Sequence, residues 1–557
     1  MKRSVATSTV IWSTSSDNFN INAMIKNIIP SFILFLTLFS VFIASGQETI
    51  RIIDPPSAEF ITDSLYKVTD NHCFYFTGVH LNAGDSELAP YYISSNNGGN
   101  VTQQYSVLAY ASLYKLMNNS KRFSWGAGIE AWGGYTSSAG YERYVGNGQF
   151  EVQKQHPARL WVQQAYVKAK YRSIFAVAGQ SYKQSPIVNG ALSSGDLVWS
   201  NNARPPVGLR AGFVDFQDIP FTKGWVQLTG EFGYFREFDD KWLENHYNYY
   251  NHFITTGTWL HYKSMHFRTN PQKQFVFTFG AQSACQFGGT ANYYEDGQVT
   301  HTVKMDADAK AFFRTFIAGS GGNSEGDSFV EGNHLGTWDI ALEYKLNQRE
   351  QLRAYTQWLW EDGSGIGKMN GFDGLWGLEY YTDFYNKLVT GAVVEFIDFT
   401  NQSGPIHWTP NDRPGTPITS HSSGADDYYN NYIYNGYQSR GMSIGSPFVK
   451  SPLYNQDGYM RYRDNVLRGF HAAITGNFSE RWAYTLMGSY RKAWGTPIIP
   501  RAGSVDDFSM MLATDYKFYQ GWHITAQVAM DRGTLYGNNF GACVGISYSG
   551  AFNFKKQ

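Results

Sequence analysis

The chain reads as all-β: a transmembrane antiparallel β-barrel of the outer-membrane type, with about 18 strands and long extracellular loops. Three features of the sequence carry this reading. Apolar and polar residues alternate over many short segments, no apolar run of spanning length follows residue 47, and short connections alternate with long ones.

Successive side chains of a strand point to opposite faces, so a barrel strand shows lipid every second residue and fills its lumen with the rest. In 122–131, Phe123, Trp125, Ala127, Ile129 and Ala131 are apolar, whereas Ser124, Gly126, Gly128 and Glu130 are small or polar. From Trp338 onward, Ile340, Leu342, Tyr344 and Leu346 alternate with Asp339, Ala341, Glu343 and Lys345. Beyond a turn at 347–350, Leu352, Ala354, Thr356, Trp358 and Trp360 alternate with Arg353, Tyr355, Gln357, Leu359 and Glu361, which predicts a hairpin with its charges on one side. A second hairpin is read around 479–481, and the last strand runs Val544, Ile546, Tyr548, Gly550, Phe552, Phe554. Its aromatic end resembles the C-terminal signature of outer-membrane barrels, apart from the trailing Lys555, Lys556 and Gln557.

A soluble β-sandwich also alternates, and the connections decide between the two. Short ones near 118–121, 171–173, 347–350, 383–387, 479–481 and 519–521 alternate with long ones near 82–103, 136–157, 183–206, 237–255, 285–337, 362–373, 400–468, 495–506 and 532–539. Short periplasmic turns and long outer loops predict this order. Residues 303–317 leave room for one more hairpin, so the count stands between about 18 and 20.

Of the 557 residues, 39 are Tyr, 39 Phe and 16 Trp, and 45 Lys and Arg balance 46 Asp and Glu. Such a balance offers no basic surface to nucleic acid. Cys73, Cys285 and Cys543 are too few and too scattered for a disulfide framework or a metal site. No cofactor is called for. Lys26, the apolar run from Ile28 to Ala44 and the small residues Ser45 and Gly46 predict a signal peptide cleaved near Gly46 and Gln47, with Met24 as the true start. The expected organisation is an N-terminal extension and signal peptide over 1–46, a short periplasmic lead-in over 47–72 and one barrel domain over 73–557.

Catalytic motifs are sparse. Gly441, Met442, Ser443, Ile444 and Gly445 match G-x-S-x-G, but a nucleophile elbow needs a strand before and a helix after, and Ser446 and Pro447 follow in a Tyr- and Asn-rich loop. Carboxylates such as Glu343 and Glu361 are expected to pair with lumen neighbours such as Lys345 and Arg353 rather than to work as acid and base. The reading is therefore non-enzymatic.

The long loops are richer. Asn201, Asn202 and Arg204 lie in one, Trp242, His246, Tyr247 and Tyr249 in another, and Asp427, Tyr428, Tyr429, Asn430 and Asn431 in a third. Aromatic faces beside amides, carboxylates and guanidinium suit sugars, whose C–H faces stack while their hydroxyls hydrogen-bond. Packing of the loops against one another is an equal reading for any single residue.

At these positions the chain resembles the Wzi-type capsule-assembly family, in its Bacteroidetes branch. The pieces are Ser200-Asn201-Asn202-Ala203-Arg204-Pro205, Gly332-Asn333-His334-Leu335-Gly336, Glu361-Asp362-Gly363-Ser364-Gly365 with Asp373-Gly374-Leu375-Trp376-Gly377, Gln402-Ser403-Gly404-Pro405, and Asp427-Tyr428-Tyr429-Asn430-Asn431. The resemblance implies a non-enzymatic lectin that binds and anchors capsular or other surface polysaccharide, seated in outer-membrane lipid and neighbouring the capsule export machinery. The periplasmic helical bundle of enterobacterial members does not fit in 47–72. Asn201, Asn202, Arg204, Asp362, Asp373, Trp376, Asp427, Tyr428, Tyr429, Asn430 and Asn431 are the expected binding residues, converging at the outer rim, with Arg204 presenting a fork to an acidic sugar or forming a salt bridge to Asp362 or Asp373. A porin or substrate channel is the alternative, and an outer-membrane hydrolase a third.

Overall fold

In the computed structural model, residues 72–319, 330–384, 387–404, 407–408, 422–423 and 426–553 are described. The expected signal peptide and almost all of the lead-in lie outside them, as does Phe554. The described residues fall within one compact unit.

Successive strands pair antiparallel into one sheet that closes on itself. The first nine are β1 (His72–Gly84), β2 (Ser106–Lys115), β3 (Phe123–Thr136), β4 (Leu160–Tyr171), β5 (Ile174–Gln180), β6 (Val207–Phe213), β7 (Val226–Arg236), β8 (Trp259–Thr269) and β9 (Phe275–Phe287). The second nine are β10 (Asn333–Lys345), β11 (Glu350–Trp360), β12 (Gly374–Thr382), β13 (Gly391–Asp398), β14 (Leu467–Ser479), β15 (Trp482–Gly495), β16 (Pro500–Tyr519), β17 (Trp522–Gly533) and β18 (Asn539–Asn553). A two-residue segment, Gln217–Asp218, pairs with β7 just beyond β6 and continues that stave, so the sheet has 18 staves. Closure comes from β1 on β18, from His72 opposite Asn553 to Gly84 opposite Gly541. A closed sheet leaves no edge strand unpaired in lipid.

The predicted faces are found. Phe123, Trp125 and Ile129 point outward and are exposed, while Ser124 between them is buried in the lumen. Leu342, Leu352, Phe470, Phe478, Ile524, Val528, Val544 and Ile546 continue the apolar outer belt. Inside, Arg353 pairs with Glu379 of β12 rather than with Glu343, its register partner on β10.

Two expectations about connections change. Residues 303–317 add no barrel hairpin: Gln298–Met305 joins Gly289–Glu295 and Phe253–Thr256 in a separate three-stranded sheet, and Ala309–Ile317 is a helix. Ala309, Ala311 and Phe313, whose imperfect alternation suggests a strand, lie in that helix. The connections after β15 and β17 shrink to 496–499 and 534–538, because β16 runs for 20 residues and extends past the outer belt. The lumen is filled by the described residues of 399–466 together with 181–206.

The filling is a buried lock. Trp199 packs edge-on against Phe235 and Tyr262 of the wall, at 4.9 and 5.5 Å between ring centroids. Tyr429 donates its hydroxyl to the Leu197 carbonyl at 2.7 Å, and Asn202 Nδ2 donates to the Ser443 carbonyl at 3.1 Å, so the two loops hold each other. Ser194 N donates to Glu395 of β13 at 2.6 Å, tying the plug to the barrel. Buried polar groups are expensive unless paired, and these are paired across elements distant in sequence.

Candidate functional site

Four of the expected residues share one cleft at the long-loop end. Asp362, Asp427, Asn430 and Asn431 line it with Trp360, Glu361, Asp426, Tyr432 and Arg461, and it continues down the outer wall to a total of about 1220 Å³.

Each wall has a local cause. Asp362 caps the short helix Gly363–Ile366, accepting from Ser364 N at 2.7 Å, which fixes its backbone and leaves its side chain at the surface. Tyr429 adopts φ +68°, a left-handed turn that ends the Asp427–Asn430 bend. That bend is closed by Asn430 N to the Asp427 carbonyl at 2.8 Å and Asn430 Nδ2 to Asp427 Oδ1 at 3.0 Å. Asn431 Oδ1 accepts from Ile433 N at 2.9 Å, its Nδ2 donates to Asn333 Oδ1 at 3.0 Å, and Arg461 Nη1 donates to its carbonyl at 2.9 Å.

Electrostatically the cleft is acidic. Burial and the neighbouring Asp362 push the Asp426 carboxyl up to about 7. Glu361, which accepts from Tyr429 N at 2.6 Å, is raised by burial and by Asp426. Burial raises Asp427 as well, against the amides of Asn465 and Asn430 that favour its charge. Carboxylates and amides around a cleft accept and donate hydrogen bonds to hydroxyls, whereas an anionic ligand would meet like charge.

Other expected residues stand behind or away from it. Asp373 is buried, accepting from Asn401 N, Gln402 N and the Tyr428 hydroxyl at 3.1, 2.6 and 3.0 Å, and burial lifts its carboxyl to about 6. Tyr428 and Tyr429 are wholly buried. Asn202 is buried too, and Asn201 donates to the Lys183 carbonyl at 2.8 Å. Arg204 stacks over Trp161 at 5.2 Å with its Nε buried and unpartnered, and forms no ion pair with Asp362 or Asp373. Burial and the nearby Arg440 both weigh against its charge. Trp376 lies on the outer wall, edge-on to Trp358 at 5.6 Å and to Phe372 at 5.9 Å, as part of an aromatic girdle. Trp360, Glu361, Asp426, Tyr432 and Arg461 had not been singled out as binding residues. Trp360 and Glu361 carry the signal of a strand end, and Asp426, Tyr432 and Arg461 only that of a long loop.

Below the plug a second cavity of about 910 Å³ reaches the short-turn end at Gln351 and Thr382. Tyr110 and Trp132 stack along its side with Trp161 behind Trp132, and Glu130 fixes the Trp132 indole at 2.6 Å. Ser443 is fully buried in a two-residue hairpin arm, Met442–Ser443, with no helix after it, so no nucleophile elbow forms. Among the described residues no group of His, Cys, Asp and Glu is arranged to hold a metal.

No protein-family model and no curated protein matches the chain. Solved structures similar to it include Wzi of Escherichia coli, an outer-membrane protein described as a carbohydrate-binding β-barrel involved in group 1 capsule assembly. It is 13% identical, with 87% of this chain and 85% of that one covered and a TM-score of 0.49. Acinetobacter baumannii OccAB2 is 10% identical, over 88% and 100% of the two chains, at 0.42. The outer-membrane protein OprD of Pseudomonas aeruginosa is 8% identical, over 87% and 94%, at 0.41. Likeness at this level assigns no function.

Proposed function

We propose that the protein binds and anchors capsular or other surface polysaccharide at the outer membrane, without catalysis, with its short turns in the periplasm and its long loops outside. The observation that carries this reading is the lock between 181–206 and the described residues of 399–466. Two loops tied to the wall and to each other fill the lumen, and they present at the rim an acidic, amide-lined cleft beside Tyr432 and Trp360. Such a surface suits a neutral, hydroxyl-rich glycan. The sequence resemblance to capsule-assembly proteins points the same way. In a strain lacking the protein, surface polysaccharide is expected to shed into the medium. Full retention by that strain would refute the reading.

A porin or substrate channel is the second reading, favoured by the cavity beneath the plug. Steady conductance of the wild-type barrel in a planar bilayer would select it.

A further inference from the structure

We propose that the helix Ala309–Ile317 is a membrane-embedded outrigger, and that the groove between it and the outer wall of β7–β9 holds acyl chains of the surrounding outer-membrane lipid. The proposal stands independently of the glycan reading.

The helix lies against the outside of the barrel. Ala311 and Thr315 are fully buried, and the Phe312 ring packs against outward-facing Tyr234, Trp259 and Phe287 at centroid distances of 4.9 to 5.2 Å. The Tyr234 hydroxyl donates to the Phe312 carbonyl at 2.7 Å. At the other end Lys263, on the outer face of β8, donates to the Phe316 carbonyl, a cation at a helix C-terminus. These two bonds seat the helix on a wall that elsewhere meets lipid.

What it leaves uncovered is apolar. Phe313 is 62% exposed and Ile317 55%, with Phe316 edge-on to exposed Phe232 at 5.9 Å. At 100° per residue these side chains occupy one flank, while Lys310 and the Arg314–Glu331 ion pair (3.0 Å) occupy the next. Three exposed large apolar side chains on a nine-residue helix are unfavourable in water. They are what an interfacial helix places at the headgroup and acyl boundary, polar flank upward. The occupant follows from continuity: the rim cleft runs down the wall past Phe316 and Val330 to Leu228 and Met265, and Met265, 52% exposed, belongs to the barrel's lipid belt.

The test uses the full-length protein in phosphatidylcholine vesicles. Phe313→Cys, Ile317→Cys and Lys310→Cys each carry a nitroxide; the native cysteines are buried and do not label. Variants are first checked for the folded, heat-modifiable band. Power saturation is expected to show the labels at 313 and 317 more accessible to oxygen than to a water-soluble nickel chelate, with the order reversed at 310. Chelate accessibility dominating at both 313 and 317 would overturn the proposal, as would equal accessibility at all three positions.

Discussion

Asp196 and Gln357 hold the plug in the barrel: Gln357 Nε2 donates to Asp196 Oδ2 at 2.9 Å, and the same amide's oxygen accepts from Leu197 N at 2.9 Å. Asp196 also accepts from Val198 N, Trp199 N and Gln282 Nε2 at 2.8, 3.0 and 3.1 Å, so one buried carboxylate joins a loop to two strands. Asp196→Ala orphans several of these donors, each at a cost of about 1–3 kcal/mol. Planar-bilayer recording is expected to show steady current through the variant and none through the wild type.

Tyr428→Phe removes the hydroxyl that donates to Asp373 at 3.0 Å and accepts from Asn370 Nδ2 at 3.0 Å. A loss of about 1–3 kcal/mol is expected because both partners are buried. It would be read as an earlier heat-induced shift of the folded band, with the barrel still formed.

The Asp426 carboxyl gives the rim a pH dependence. Its folded value of about 7 lies above the ordinary 3.8, so folding favours its proton. The stabilisation is complete below the ordinary value and is lost as pH rises through about 7. Thermal stability of the loops should therefore fall between about pH 4 and pH 7 and level off above that, and Asp426→Asn should flatten that slope. An unchanged slope in the variant would reassign the effect to other groups.

Much of the barrel was legible in the sequence, and less of the site. Period-two alternation around Phe123 and Leu342 reports a lipid face because the lipid side and the lumen side have opposite polarity demands. Thr496, Pro497 and Pro500 give the end of β15 and the start of β16 the look of a loop, while pairing of Gly495 with Pro500 carries the ladder through. At the site, residue type alone could not separate a ligand-facing side chain from a buried one. Asn202 and Asn431 belong to similar polar clusters, yet one ends on the Ser443 carbonyl inside the plug and the other at the cleft. Trp376 reads like a sugar platform until its register with Thr356 places it outward.

Asp362→Asn keeps the helix cap, since an amide oxygen also accepts from Ser364 N, but removes the charge from the cleft. Charge-assisted bonds are about twice as strong as neutral ones, so glycan affinity is expected to fall about fivefold with the fold intact. Trp376→Ala, on the outer wall, should leave that affinity unchanged; a matching fall would place the glycan elsewhere.

The central claim is tested most directly by titrating the purified barrel with polysaccharide isolated from the surface of the cell that makes it. The account predicts saturable binding that weakens in Asp362→Asn and Asn431→Ala while both variants keep the folded band. Absence of binding by the folded wild-type protein, together with steady ionic conductance, would contradict it.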